Sequence, residues 1–225
     1  MAAQEGKDAM PLQNRVDPFG AIHAVSARGL FTGNRGVIHD PATKTLLSRR
    51  WTTRAWIVCD CAFRGRRRDV MGRNAPSGGS GWTELFFLDE VTALAAGHRP
   101  CFFCRRAAAV DFARSFAQGQ GRDSITAPEI DAILHAQRWA SRKQSASTAF
   151  SADEANALPP GAMILSDGQP LARHARGWLV WSFDGWWRAA AAGSAAVLIT
   201  PPATIAALRA GYLPVWHSTA AHPRP

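Results

Sequence analysis

The chain lacks any apolar run close to the roughly 18 to 20 residues that a membrane-spanning helix needs, and residues 1–20 contain no apolar segment of the signal-peptide type. Lysine is scarce, with three residues among the 26 cations, and there is a single tyrosine. The sequence patterns of helical zinc proteases, P-loops, dinucleotide-binding folds and serine-hydrolase elbows are missing. These absences exclude the common nucleotide-binding and hydrolase signatures, and we expect a cytoplasmic protein without a membrane span.

What the chain does have is core-forming material and an uneven charge. Apolar residues make up 47% of the 225 residues and include nine tryptophans, which is enough to build one large or two small folded domains. Residues 28–73 hold eleven Lys and Arg against three Asp, an excess of eight in a chain whose formal net charge is +9. Such a basic block favours a polyanionic partner, nucleic acid above all.

Two pairs of cysteines form the strongest chemical signal. Cys101 and Cys104 are separated by two residues in the turn-like stretch AAGHRPCFFCRR, a spacing that lets two thiolates converge on one ion. Upstream, Cys59 and Cys61 end the strand-like segment RWTTRAWIVCDC, and alternation along a strand would point both to one face. We therefore predict a zinc site formed by these four cysteines, with His98 as an alternative ligand.

Two other interpretations of the cysteines stay open. Cys59 and Cys61 could be packed thiols in a core strand, because free cysteine is among the most buried residue types. A redox pair would need a thioredoxin-like strand before its first cysteine. Here Pro100 precedes Cys101 and no such strand is predicted there, so a metal site is favoured over a redox pair.

The stretch EVTALAAGHRPCFFCRR resembles the second half of the Ada-type zinc-binding domain, which is methylphosphotriester-acceptor-like, and the resemblance extends over about residues 51–106. The positions that match the pattern G-[aromatic]-R-P-C-x2-C are Gly97, His98, Arg99, Pro100, Cys101 and Cys104. The resemblance implies that an upstream pair, Cys59 and Cys61, completes a four-cysteine zinc site, and that one upstream thiolate can accept a methyl group from a methylated DNA phosphate.

The chain departs from that family in its upstream pair, which is C-x-C instead of C-x3-C, and 39 residues lie between Cys61 and Cys101. It also lacks a helix-turn-helix pair and the alkyltransferase nucleophile segment. The resemblance therefore implies zinc binding more directly than methyl acceptance. The segments PLQNRVDPFG and GNRGVIHD are similar to a family of bacterial proteins that shares the whole layout, and this second resemblance implies no particular role.

These signals predict an α+β fold: a small mixed sheet with a zinc knuckle and two helices, followed by a β-rich C-terminal unit. The helices are expected at 105–118 and at about 126–143, where Thr126 is an N-cap and Glu129 stands at the capping-box position. The predicted organisation is a polar lead-in over 1–20, a zinc-binding domain with a basic loop over 21–145, and the C-terminal unit over 158–220.

The basic loop FRGRRRDVMGR follows the upstream cysteines and could hold phosphates with its guanidinium forks. Trp51, Trp56 and Trp82 could stack on bases. A solvated surface loop and ordinary core tryptophans are the alternatives. The predicted nucleic-acid-binding residues are Arg64, Arg66, Arg67, Arg68 and Arg73.

Three residues are candidates for catalysis. Asp131 and His135 are four residues apart on one predicted helix face, where they could polarise a water or simply form a helix-surface hydrogen bond. His39 lies in a turn in GNRGVIHD and has no partner identifiable from the sequence. The sequence therefore leaves the assignment as an enzyme open.

Taken together, the sequence predicts a zinc-binding protein that binds nucleic acid, DNA more than RNA, through the arginine-rich loop, with a role in DNA repair or processing. One alternative is a zinc-dependent enzyme acting on nucleic acid, either a nuclease or a methyl acceptor. The other is a cytosolic protein-interaction module with a structural zinc.

Overall fold

The structure is a computed structural model that describes residues 10–65, 67–143, 151–193 and 196–224. Within them the chain has a mixed α+β fold. The helices are α1 (Glu90–Ala95), α2 (Arg106–Gly119), α3 (Ala127–Lys143), α4 (Ala152–Asn156) and α5 (Pro202–Arg209). The strands are β1 (Gln13–Val16), β2 (Ile22–Ala24), β3 (Phe31–Asn34), β4 (His39–Asp40), β5 (Thr45–Leu46), β6 (Ile57–Asp60), β7 (Leu85–Phe87), β8 (Arg99–Pro100), β9 (Met163–Ser166), β10 (Gln169–His174), β11 (Gly177–Ser182), β12 (Gly185–Ala189) and β13 (Ala196–Leu198).

The first sheet is mixed and has the strand order β2-β1-β7-β3-β6-β8. β1 pairs in parallel with β7, and β6 pairs in parallel with β8, while the other neighbours are antiparallel. Val16, Val58 and Leu85 are fully or almost fully buried in its core. The sheet thus begins at β1, inside the segment that the sequence placed in a polar lead-in, because Val16 supplies a core residue among polar neighbours.

The second sheet is antiparallel and has the order β12-β11-β10-β9-β13. Asp167 and Gly168 join β9 to β10 with positive φ angles of 49° and 75°. Two consecutive positive φ angles are typical of the tight hairpin turns that match strand twist, and glycine adopts this conformation without strain. Ser166, Asp167 and Gly168 therefore form a tight turn between β9 and β10.

Helices from the middle of the chain pack on this second sheet. Phe112 of α2 and Leu134 of α3 share one hydrophobic core with Leu171 of β10 and Trp178 of β11. The boundary drawn between residues 145 and 158 therefore does not separate two cores, because the helices predicted for the first domain cover the apolar face of the C-terminal sheet.

α1 lies at the centre of the molecule, and each of its residues is buried. Ala93 packs in the core of the first sheet, whereas Val91 packs with residues of the second. The helix begins at its N-cap Asp89, whose carboxylate accepts a hydrogen bond from the Thr92 N–H at 2.9 Å. Gly97, with a φ of +80°, turns the chain from α1 into β8. This turn delivers the C-x2-C segment to the edge of the first sheet.

Candidate metal centre

Strand pairing brings Cys59 and Cys101 together. β8 runs parallel to β6, with the Arg99 N–H donating to the Trp56 carbonyl and the Cys101 N–H donating to the Val58 carbonyl, each at 3.0 Å. Cys59 follows Val58 directly in β6, so the two cysteines are neighbours across the sheet edge. Two backbone hydrogen bonds thus bring together cysteines that are 42 positions apart in the sequence.

A tight turn then returns Cys104 to the same place. The Arg105 N–H donates to the Cys101 carbonyl at 3.0 Å, and the Phe103 N–H donates to the Cys101 sulfur at 3.4 Å. The sulfur atoms of Cys59, Cys101 and Cys104 all lie within 4.8 Å of one another. We call these three residues the three-cysteine site, and its members could hold a metal ion.

The three thiols perturb one another's protonation. A hydrogen bond from the Cys59 thiol lowers the pKa of Cys101 to about 5, against the opposing effect of burial. The same thiol lowers the pKa of Cys104, helped by the backbone N–H of Asp60. The pKa of Cys59 is raised, because its proton is shared with the other two sulfurs and burial disfavours a further charge. Cys101 and Cys104 thus favour the thiolate, the form in which cysteine binds metals, whereas Cys59 favours the protonated thiol.

The other two predicted ligands lie outside this group. β6 ends at Asp60, so the strand alternation that would have placed Cys61 on the face of Cys59 stops one residue short, and the Cys61 side chain is exposed. His98 is fully buried, with its ring centroid 4.7 Å from that of Phe87. Its Nε2 accepts a hydrogen bond from Nε of Arg35 at 3.3 Å. His98 is therefore a residue of the sheet core and lies outside the three-cysteine site.

A buried charged network lies behind the site. Arg105, next to Cys104, forms a bidentate ion pair with Glu90 at 2.7 and 3.0 Å and also approaches Asp60 at 3.4 Å. The Glu90 carboxylate additionally accepts hydrogen bonds from the Tyr212 hydroxyl at 2.6 Å and the Val215 N–H at 2.9 Å. Burial and the neighbouring carboxylate raise the pKa of Tyr212. The carboxylates of Glu90 and Asp60 thus hold Arg105 in place, and Glu90 links it to the C-terminal segment.

The predicted arginines of the basic loop divide into two kinds. Arg64, Arg67 and Arg73 are exposed, and Arg66 lies outside the described residues. Arg68 is instead partly buried, donates to the Glu84 carboxylate at 2.5 Å and stacks on Trp82, with its guanidinium carbon 4.2 Å from the ring centroid. Arg68 therefore anchors the loop and is not available to a ligand in the way that its exposed neighbours are.

Side chains at the start of the basic loop contact the C-x2-C turn. The guanidinium carbon of Arg64 lies 5.1 Å from the Phe63 ring centroid and 5.7 Å from that of Phe103. The two phenyl rings are 5.2 Å apart, and Phe103 is 57% exposed at the tip of the C-x2-C turn. An exposed cation and an exposed aromatic ring therefore stand beside the three-cysteine site.

The three catalytic candidates do not come together. His39 is buried, with Nδ1 2.6 Å from the Thr83 hydroxyl. Asp131 forms a bidentate ion pair with Arg99, both contacts at 2.8 Å. His135 lies elsewhere on α3, against Trp51. Each residue has a structural partner of its own, so the geometry assembles no acid–base pair from them.

A second cluster was not predicted as a unit. Trp51, Trp56, His135, Arg138 and Trp139 line a surface cleft where the segment before β6 meets the end of α3. We call this the aromatic cleft. Part of this cluster could have been recognised from the sequence. His135, Arg138 and Trp139 stand at positions i, i+3 and i+4 of a predicted helix, which puts them on one helix face.

In the described part of the chain, no helix has the length and apolar character needed to cross a bilayer. Comparison of the chain with protein-family models, with curated proteins and with solved structures gave no match. The likeness to the Ada-type domain therefore stays a prediction, and function is inferred from the geometry of the chain itself.

Proposed function

We propose that Cys59, Cys101 and Cys104 bind one zinc ion and that the unit so fixed binds nucleic acid, DNA more than RNA, through exposed arginines of the basic loop. The observation that carries the proposal is the convergence of three sulfur atoms within 4.8 Å. A zinc knuckle tied to a cationic loop fits a role in DNA repair or processing, and the preference for DNA rests on the resemblance to Ada-type domains.

The chemistry of the donor set favours zinc. Thiolates suit this borderline-soft ion, and a tetrahedral site with Zn–S bonds of about 2.3 Å needs sulfur atoms about 3.8 Å apart, within the observed limit. The lowered pKa values of Cys101 and Cys104 favour the ligating form. A divalent cation would also take over the role of the proton that Cys59 shares with its neighbours.

The position of the loop supports polyanion binding. β6 carries Cys59 and leads directly into the loop, so a metal on Cys59 fixes the point from which the loop projects. Arg64 and Arg67 are exposed and can present guanidinium forks to phosphate oxygens. Each phosphate contact releases counterions, so binding is expected to weaken steeply with salt.

Elemental analysis of the purified protein under reducing conditions tests the metal. We expect about one zinc per chain, lost in Cys101→Ser and retained in the matched variant Cys61→Ser, whose side chain is exposed and outside the three-cysteine site. Metal-free wild-type protein would refute zinc binding. Loss of zinc in Cys61→Ser would instead restore the four-cysteine site.

Salt-titrated DNA binding tests the loop. Arg64→Ala and Arg67→Ala should weaken binding and each lower the salt dependence by about one unit of slope in a log–log plot. Arg209→Ala, an exposed arginine in α5, is the control and should bind as wild type does. Affinity that does not respond to salt would rule out phosphate contacts.

A methyl acceptor is the second candidate, and one observation favours it. The described residues supply three clustered sulfur ligands, and a zinc site with an open fourth position is typical of catalytic centres. Intact-mass analysis after incubation with methylated DNA should then reveal one added methyl group on a cysteine of the site. An unchanged mass would leave binding as the function.

A further inference from the structure

The aromatic cleft is a second binding feature, separate from the three-cysteine site. The Trp51 ring centroid lies 6.0 Å from that of Trp56, 6.2 Å from that of Trp139 and 6.5 Å from that of His135. The Trp51–Trp139 interplanar angle is 83°. The rings therefore surround an opening and do not close it by face-to-face packing.

The rings differ in exposure in a graded way. Trp56 is 4% exposed and forms the floor of the cleft, Trp51 is half-buried, and Trp139 is 48% exposed at the rim. An exposed indole beside an aromatic floor offers apolar surface to solvent that a flat ligand would cover. Trp139 thus presents part of its ring surface to solvent at the rim of the cleft.

The charges around the cleft determine which ligand charge the cleft favours. All five lining residues are aromatic or basic. The guanidinium carbon of Arg138 lies 4.3 Å from the Trp56 ring centroid, and its nitrogens donate to the carbonyls of Gly97 and Arg54 at 2.6 and 2.8 Å. Burial, followed by the charges of Arg138 and Arg54, lowers the pKa of His135. The surroundings are therefore cationic, which disfavours a methylammonium ligand and favours an anionic one.

Trp56, the floor of the cleft, has an unsatisfied donor. The indole N–H of Trp56 is buried and has no hydrogen-bond partner within the described residues. A buried donor without an acceptor is destabilising, and native proteins contain few of them.

We propose that the aromatic cleft binds an unpaired nucleobase of single-stranded nucleic acid, with the base against Trp139 and Trp51 and the adjoining phosphate near Arg54. The inference rests on the proposed function and deepens it, because it makes the protein prefer single strands to duplexes. Aromatic platforms beside cationic grooves bind single strands in this way, since every base has a face that can stack while bases in a duplex are already stacked.

The test compares binding of the full-length protein to a short labelled oligonucleotide and to the duplex of the same sequence. Trp139→Ala should weaken single-strand binding by about 5- to 150-fold, the effect typical of losing one stacked base, and leave duplex binding unchanged. Trp139→Phe, which keeps a ring, should lose less. Trp187→Ala, a partly buried tryptophan of β12, is the matched control and should leave both affinities unchanged.

The outcomes separate this inference from the proposed function. Binding of both forms with equal affinity, unaffected by Trp139→Ala, overturns the cleft and leaves the arginine loop as the binding surface. Equal losses for single strand and duplex in Trp139→Ala also overturn it. If wild type binds neither form, the proposed function fails and the cleft inference fails with it.

Discussion

Two sets of arginines adjoin the three-cysteine site and differ in what they face. Behind the site, the Arg105 side chain is 5% exposed and pairs with Glu90, and Arg99 pairs with Asp131 in a contact that is also largely buried. In front of it, Arg64 and Arg67 are exposed on the basic loop. The buried set holds the strands, helices and C-terminal segment together, whereas the exposed set is placed to meet a ligand.

The charges counted in the basic part of the sequence are not all available at the surface. Residues 28–73 carry an excess of eight positive charges, but Arg35 in that range is fully buried beside His98, and Arg68 is neutralised by Glu84. The cationic surface is therefore smaller than the count of charges suggests. Only the arginines that remain exposed bear on a polyanionic partner.

Glu90→Gln should break the buried set and produce the largest effect. The substitution removes the charge that compensates Arg105 and leaves its buried guanidinium with the more distant Asp60 carboxylate, at 3.4 Å. We expect the free energy of unfolding to fall by about 3–5 kcal/mol, measured by chemical denaturation. Asp184→Asn, at an exposed turn, should stay close to wild type. A similarly small change in Glu90→Gln would mean that the network does not support the fold.

Acid should reduce the stability of the fold by an intermediate amount, through His98, which is buried beside Arg35. Burial, then the charges of Arg35 and Arg138, lower the pKa of His98 far below its ordinary value near 6.5. The unfolded chain therefore binds a proton that the folded chain excludes, so stability is retained above about pH 6.5 and falls as the pH drops below it, by up to about 1.4 kcal/mol per pH unit.

Thermal or chemical unfolding across pH 5 to 7, a range set by the ordinary histidine pKa of about 6.5, measures this dependence. His98→Gln should flatten it, whereas His222→Gln, at an exposed position, should not. An unchanged profile in His98→Gln would assign the acid sensitivity to other groups.

The smallest effect on stability is expected from the exposed set. Arg64→Ala and Arg67→Ala remove no buried contact, so the free energy of unfolding should change by no more than about 0.5 kcal/mol even though DNA binding weakens. Denaturation and binding are measured on the same preparations. A loss of stability comparable to that of Glu90→Gln would erase the distinction between the two sets.

Local signals in the sequence predicted local structure well. The capping pair Thr126 and Glu129 of α3 acts within a few residues, so it can be recognised without a tertiary structure. The mixed α+β class followed from the same kind of pattern. The C-x2-C spacing likewise indicated the turn that brings Cys101 and Cys104 together.

What the sequence could not supply depended on where strands end and what packs across them. Cys61 was expected beside Cys59, but β6 stops at Asp60, and no local residue type marks that stop. Arg68 was expected at the surface, yet its partner Glu84 comes from a segment 16 residues further along the chain. Such pairings are tertiary, and periodicity and propensity do not encode them.

The Glu90 carboxylate also has a consequence for the order of folding. It bonds Tyr212 and Val215, which lie 122 and 125 residues later in the chain. Long-range contacts of this kind form slowly, because a large loop must close before they stabilise anything. During synthesis Cys101 and Cys104 leave the ribosome well before the segment that hydrogen-bonds Glu90, the partner of Arg105. For that interval the thiols are exposed to metals and oxidants before the fold is complete.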